Sequence, residues 1–600
     1  MQRRDFVAGL PLMGTLAAQT PATGADWRNI RNGVPLPKEG YVDQPYIVMT
    51  RDGSWLCVLT TGKGVEGEPG QHIVSTVSRD KGKTWAPLND IEPAHGPEAS
   101  WVMPLITPSG RVYVFYTYNK ENLRLVEGSN SPANAKRVDT LGHYAFKYSD
   151  DNGATWSSQR YYIPMRLMRI DRENLYGGKV LFFWGVGKPI IDRGKVWIGF
   201  AKVGKWGNPG SMVESQGCFL RSDNLLTERD PAKIKWELLP DGDEGLRAPK
   251  GPVSDEANPV ALSDGSLYAT YRTIDGYNCH AYSRDGGHTW TPPQYATYTP
   301  GGRRIKHSRA ANFVKKFSSG RFLLWYHNHG GEAVHNARWD YYFNRNPAWV
   351  CGGVERNGFI HWSEPEILLY DDNPDTRMSY PDFVEDGERF FVTETQKTIA
   401  RVHEIDRTLL DGLWAQHENR TLTRKGLVLE AKGPGEVDMP RLPTLADGGG
   451  FTLDLHLRLR ELSPGQTVLD ARDASGRGIA ITTTDRFTLQ LILNDGSTKA
   501  AWDSDPGTHP GTLRVGAWQH ITVSVDSGPR IITWMVDGIL NDGGAVRDFG
   551  WGRFPSGLRD VNANSKVRLA PVLYGQLASL RIYDRCLRTS EAVGNFRESS

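Results

Sequence analysis

The 600-residue chain has little cysteine: Cys57, Cys218, Cys279, Cys351 and Cys586 are widely separated, with no C-x-x-C pair. That odd, scattered set argues against a disulfide framework and against a zinc site, and reads as buried free thiols. No charge excess is present either, since 71 Lys and Arg face 69 Asp and Glu, a formal net charge of +2. Nothing electrostatic therefore calls for nucleic acid or a charged membrane as partner. Beyond the N-terminal stretch, no segment reaches the ~20 apolar residues of a membrane helix, so no integral membrane segment is expected in the mature chain. Long helical periodicity is scarce as well. What is abundant is 65 Gly, 19 Trp and 23 Tyr. Short runs of Val, Ile, Phe, Trp and Tyr, cut by Gly and Asp, signal strands and turns. The length exceeds one ordinary core, so two or more domains are expected.

The opening MQRRDFVAGLPLMGTLAA has a basic start, a modest apolar run and small residues after it. It reads as an export signal over residues 1–25, and Arg3-Arg4-x-Phe6 resembles the twin-arginine type. A periplasmic or extracellular location is the expectation.

One eight-residue pattern, Ser-x-Asp-x-Gly-x-Thr-Trp, occurs as SRDKGKTW from 78, SDDNGATW from 149 and SRDGGHTW from 283. The intervals are 71 and 134, and the second is twice 67. A copy is therefore due near 216, and Ser222-Asp223-Asn224 followed by Trp236 is a worn one. One step further, VERNGFIHW near 350 keeps a Gly and a Trp. Between the boxes run IVMTRDGSWLCVLTT, ITPSGRVYVFYTY, ALSDGSLYATYRT, KFSSGRFLLWYHN and FVEDGERFFVTET, each a β-hairpin about a glycine turn. Residues 27–415 hold six such periods, which predicts an all-β, six-bladed propeller. In the box itself the Asp accepts backbone N–H bonds, the Gly takes a conformation other residues resist, and the Trp plugs the turn between strands. That is scaffold chemistry on the rim of a blade.

The polar stretch 416–425 reads as a linker. From Phe451 alternating strands such as FTLDLHLRL, FTLQLIL and WQHITVSVD mark residues 426–597 as a β-sandwich of jelly-roll type. Its segments GAWQHITVSVD, MVDG and LASLRIYDRCLRTSE resemble laminin-G-like, concanavalin A-like domains, a fold that hosts both glycan binding and purely structural roles.

The three boxes are Asp-boxes, or BNR repeats, and the propeller resembles the sialidase (neuraminidase) superfamily. EANPVALSDGSLYATYR resembles the segment in which a Glu precedes a hairpin and an Arg ends it. By that match Glu256 pairs with a tyrosine nucleophile and Arg272 binds the substrate's carboxylate. NRNPAW puts Arg345 where another such arginine belongs. SYPDFVEDGERFFVTE puts Tyr380 at the nucleophile and Glu394 at the Glu that steadies the first arginine. That first arginine is absent, because YVDQPYIVMTRDGSW has Asp43 in its place. The loop TTGKGVEGEPGQHIV, where the acid/base Asp belongs, offers Glu66, Glu68 and His72 instead. YHNHGG places His327 and His329 on one face of a strand end, as candidate substrate or proton-transfer residues, and KHSRAANF adds His307 and Arg309. No convincing third ligand follows them, so no metal is expected, and no cofactor.

The resemblance implies a secreted, sialidase-like exo-glycosidase that removes a terminal acidic sugar from a glycan, retaining configuration through Tyr380. A phenol made basic by Glu256 suits an anomeric carbon that bears a carboxylate, because a carboxylate nucleophile would be repelled. Arginines suit the substrate's anionic group through bidentate bonds. With Asp43 where an arginine is due, a uronic acid or related sugar is an alternative to sialic acid. Two rivals stay open: a lyase eliminating across a uronate, and a non-catalytic glycan-binding propeller.

Overall fold

The computed structural model describes residues 25–126, 135–207, 211–332, 344–446 and 448–599. The export signal expected at the N-terminus lies, but for Ala25, outside the described residues.

Among the described residues up to 405 the strands form antiparallel sheets of four, nine, four, five and four strands, the nine-stranded sheet joining two consecutive units of the repeat. The hairpins read from the sequence supply the first two strands of five units: Tyr41–Met49 with Trp55–Gly62, Ala99–Ile106 with Val112–Tyr118, Asp255–Ala261 with Leu267–Arg272, Phe313–Lys316 with Phe322–Tyr326, and Ser379–Asp386 with Arg389–Thr395. The remaining unit is built on Leu181–Trp184 and runs on from its predecessor as one sheet. Closure comes from the N-terminal strand Val34–Pro35, which pairs with Ala400–Ile405 and completes the last unit. First strands of neighbouring units pack side by side, and that of the last unit meets that of the first. Nearly every residue of these strands is buried, and aromatic and branched side chains fill the space between units.

The Asp-boxes sit at the corner between third and fourth strands. In each box the Ser hydroxyl donates to the Asp, at 2.8 Å (Ser78–Asp80), 2.7 Å (Ser149–Asp151) and 2.9 Å (Ser283–Asp285). The same carboxylates accept the backbone N–H of Thr84, Thr155 and Thr289 at 2.8, 2.8 and 2.9 Å. Gly82, Gly153 and Gly287 have φ of 81°, 87° and 86°, and a Cβ on Gly82 would lie 2.9 Å from the Trp55 ring. Trp156 donates to Ser75 Oγ at 3.1 Å, tying its box to the preceding unit. In the worn copy the Ser222 hydroxyl donates to Asn224 Oδ1 at 3.4 Å and accepts from Leu225 N–H at 3.1 Å. Near 350 the corner is a tight hairpin at Asn357-Gly358.

Helix Arg407–Ala415 buries Leu409, Leu410, Leu413 and Trp414 against the fifth unit. The chain then enters a sandwich of a seven-stranded and a six-stranded sheet, closed over one apolar core. The two domains are not beads on a linker. Tyr298 and Trp362 of the propeller share a core with Met535, Trp551 and Val593 of the sandwich. Arg303 pairs with both Glu364 (2.6 Å) and Asp542 across the seam, and Arg28 with Asp526 at 2.7 Å.

Candidate active site

Four of the innermost strands share one irregularity. Regular pairing skips from Asp43 to Tyr46, Ser100 to Met103, Asp255 to Asn258 and Ser379 to Asp382. In each gap one residue is left-handed: Gln44 (φ 54°), Trp101 (62°), Glu256 (57°) and Tyr380 (45°). A non-glycine residue there costs about 1–3 kcal/mol, and such strain gathers at functional sites. A bulge re-aims a side chain. Here it brings Glu256 of the fourth unit to Tyr380 of the sixth: the phenol donates to Glu256 Oε1 at 3.0 Å.

Around that bond the charges interlock. Arg272 Nη2 lies 3.0 Å from Glu256 Oε1, and its Nε 2.5 Å from Asp255 Oδ1. The register dictates this, because Arg272 is the cross-strand partner of Asp255. Arg309 reaches Asp255 Oδ2 at 3.7 Å. Arg345 donates to Ser379 Oγ and, at 3.2 Å, to the carbonyl of Arg309. Burial raises the Glu256 carboxyl above its ordinary pKa, with Arg272 opposing and Asp255 reinforcing. The Tyr380 phenol is raised well above 10, first by burial and then by Glu256. Phenol and carboxylate are thus held as a donor–acceptor couple poised for one proton.

A second cluster stands on the other side of Tyr380. Lys397 Nζ lies 4.5 Å from the centre of the Tyr380 ring and 5.5 Å from that of Trp101. It donates to Asp43 Oδ2 and, at 3.3 Å, to Glu66 Oε1. Tyr41 donates to Asp43 Oδ2 at 2.8 Å. Arg137 spans Glu66 (3.1 Å) and Asp139 (2.9 Å). Burial raises the Asp43 carboxyl, with Lys397 opposing and Glu66 reinforcing. Glu66 goes the other way: burial works against it, but Arg137 and Lys397 hold it down to about 2. Among the described residues the site sets Arg137, Arg272, Arg309, Arg345 and Lys397 beside Asp43, Glu66, Asp139, Asp255 and Glu256.

Of the residues singled out in the sequence, the structure brings Tyr380, Glu256, Arg272, Arg309, Arg345, Asp43 and Glu66 together. It places the others elsewhere. His72 binds the Gly70 carbonyl at 2.9 Å and faces Asp90 at 3.4 Å, because the loop before it turns Glu66 inward instead. Glu68 is half-exposed beside Lys136, 3.8 Å away. Glu394 is taken up by Gln396 (2.9 Å), Arg401 (3.4 Å) and His403 (3.6 Å). His327 stacks on His307 at 6.0 Å behind Arg345, while His329 turns to Phe549 of the sandwich at 5.1 Å. Burial drives the His307 imidazole down to about 3 and that of His329 to about 4.

Lys397 and Arg137 escaped the sequence reading, and Trp101 reads there mostly as core or blade packing. Trp101 had a signal, since it occupies in the second unit the place Tyr380 occupies in the sixth. Two groups among the described residues have the spacing of metal ligands, Glu237–Asp241–His288 and Asp505–His509–Asp542. Neither includes a residue of this site, and both are engaged in ion pairs already.

Residues 103–392 match the BNR repeat-like domain, and residues 432–592 match the concanavalin A-like lectin/glucanases superfamily. The chain therefore carries a BNR repeat-like domain followed by a concanavalin A-like domain. Among solved structures it is similar to a mutant of Trypanosoma rangeli sialidase displaying trans-sialidase activity, with 12% identity and a TM-score of 0.42 over 94% of this chain and 96% of that one. A Dyadobacter fermentans protein of unknown function gives 18% identity and 0.43 over 62% and 97%. A Hadza microbial sialidase gives 16% and 0.41 over 62% and 68%. No curated protein matches the chain.

Proposed function

We propose that this chain is a glycoside hydrolase that removes a terminal acidic sugar from a glycan, with retention of configuration through Tyr380. The observation that carries the reading is the 3.0 Å bond between Tyr380 and Glu256, made by two residues each held in left-handed backbone. A buried phenol given its own carboxylate base is an arrangement for generating a phenolate on demand.

In the first step Glu256 takes the Tyr380 proton as the phenolic oxygen attacks the anomeric carbon. Arg272 and Arg345 hold the sugar's anionic group. Asp43 protonates the departing oxygen, because burial raises its affinity for a proton while Arg137 and Lys397 lower that of Glu66; two carboxyls with separated proton affinities divide acid and electrostatic roles. Water admitted by Asp43, now a base, then releases the sugar from Tyr380, and Glu256 returns the proton to the phenol.

The test is turnover of aryl glycosides of sialic, ulosonic and uronic acids, with product configuration followed by proton NMR. Hydrolysis with retention supports the reading. An absorbance rise near the ultraviolet edge, from a new C=C bond, would replace it with elimination.

A further inference from the structure

A lysine in the turn between the strands Arg389–Thr395 and Ala400–Ile405 lies over the Tyr380 ring. Lys397 is held by its backbone: its N–H donates to Thr395 Oγ1 at 3.0 Å, and its carbonyl accepts from Val42 N–H at 3.0 Å. Its ammonium, on a flexible stem, is shared by two carboxylates, Asp43 and Glu66. Its side chain keeps 28% of its exposure, whereas Arg272, bridged to Asp255 and Glu256, keeps 5%. This one ammonium is shared between Asp43 and Glu66 while lying over the Tyr380 ring.

The geometry points to Lys397 as the cation that decides between acidic and neutral sugars: it joins Arg272 and Arg345 at the anionic substituent and is the one free to move to it. This rests on the reading of the site as one that takes an acidic sugar. The physical case is competition for charge. Among the described residues Arg137, Arg272, Arg309 and Lys397 each already face an acidic side chain, so an arriving anion competes with an acid for its cation. Lys397 is the cation that can be drawn off, because an ammonium is a point charge with three rotatable donors rather than a fixed fork. Asp43 is the acid that gives way. It is buried, it depends on Lys397, and the other groups facing it are Tyr41, Tyr46, Glu66 and Tyr380. Losing part of its hold on Lys397 to the sugar's anion, Asp43 takes a proton from solvent. Binding of the anionic sugar thereby loads the proton donor.

The test uses the full chain carrying Tyr380→Phe, so that binding is read without turnover. N-acetylneuraminic acid, glucuronic acid and their methyl esters are titrated calorimetrically at pH 7 in buffers of different ionisation enthalpy. At least one acid is expected to bind about tenfold tighter than its own ester. Adding Lys397→Met should bring that ratio close to one, and Lys397→Arg should keep most of it, with melting temperatures confirming that both fold. Proton uptake approaching one per bound acid is expected, and Asp43→Asn should abolish it. An acid-to-ester ratio unchanged by Lys397→Met, no proton uptake, or no saturable binding of either acid overturns the inference. The hydrolase reading fails separately: binding that follows this pattern in a chain whose wild type turns over no glycoside would sink that reading alone.

Discussion

Residue-scale behaviour turns on two carboxyl groups pushed apart and one phenol with a partner. Glu256→Gln removes the base but keeps the hydrogen bond and the shape. It should lower kcat by about 10²–10⁴-fold with little change in melting temperature. A comparable loss of stability instead would mark Glu256 as a structural ion-pair member. The raised Asp43 carboxyl sets an alkaline limit on activity, since the donor must be protonated. Activity should fall as pH rises through the Asp43 pKa, and in Asp43→Asn that limb should vanish along with most of the rate. The pH profiles of kcat for the two proteins check this.

Some of the site was legible residue by residue, and the reason is locality. The Asp264-Gly265 turn fixes the register of one hairpin, so Asp255, Glu256 and Arg272 are placed by sixteen or seventeen residues of chain. Tyr380 was marked by its own strand signature. Lys397 was not, because it lies 354 residues from Asp43 and meets it only once the ring of units closes. His72 and Glu68 were misplaced for a related reason: three titratable groups share one loop, and only the folded loop decides that Glu66 turns inward.

Elements repeat because their corners repeat. The Asp-box carboxylates are held ionised: slight burial opposes it, but bonds from Thr289 and Ser283 keep Asp285 down to about 2. A depressed carboxyl lends stability that is full above its unfolded pKa and fades as pH falls through the folded value. For Asp285 the fading runs from about pH 4 towards 2. Asp285→Ala, losing bonds to Thr289 N, Thr289 Oγ1 and Ser283 Oγ, should cost about 1–2 kcal/mol in urea unfolding at neutral pH. Turnover should be unaffected, since the box stands at a blade corner. A lost activity with an unchanged midpoint would contradict the scaffold role. Box spacing and glycine turns were what made the hairpins and period readable. The bulges were not, because a one-residue slip leaves no mark on strand composition.

At the scale of the whole molecule, ring closure and domain docking act as one. The sequence pattern at 416–425 suggests a free linker, yet Thr423 accepts from Tyr583 at 3.0 Å and its N–H bonds Asn595 at 2.8 Å. Arg303→Met strands the buried Asp542 and the half-buried Glu364, and should cost about 3–5 kcal/mol, seen as a lower melting temperature for both domains together. Two separate transitions would contradict a shared core. The buried histidines add acid lability. Burial drives His307 to about 3 and His280 and His329 to about 4, so the unfolded chain binds more protons between those values and about 6.5. Stability is therefore full above about pH 6.5 and falls as pH drops below it, by up to about 1.4 kcal/mol per unit for each histidine.

The central claim is that Tyr380 forms the bond to the sugar. Its most direct test is intact and peptide mass spectrometry of the wild-type chain quenched during turnover of a fluorinated acidic-sugar fluoride, a donor that forms the glycosyl-enzyme faster than water releases it. One sugar residue on the peptide bearing Tyr380, absent from Tyr380→Phe, is the predicted result. Turnover by the wild type with the sugar found on another side chain, or with Tyr380→Phe still active, would contradict it.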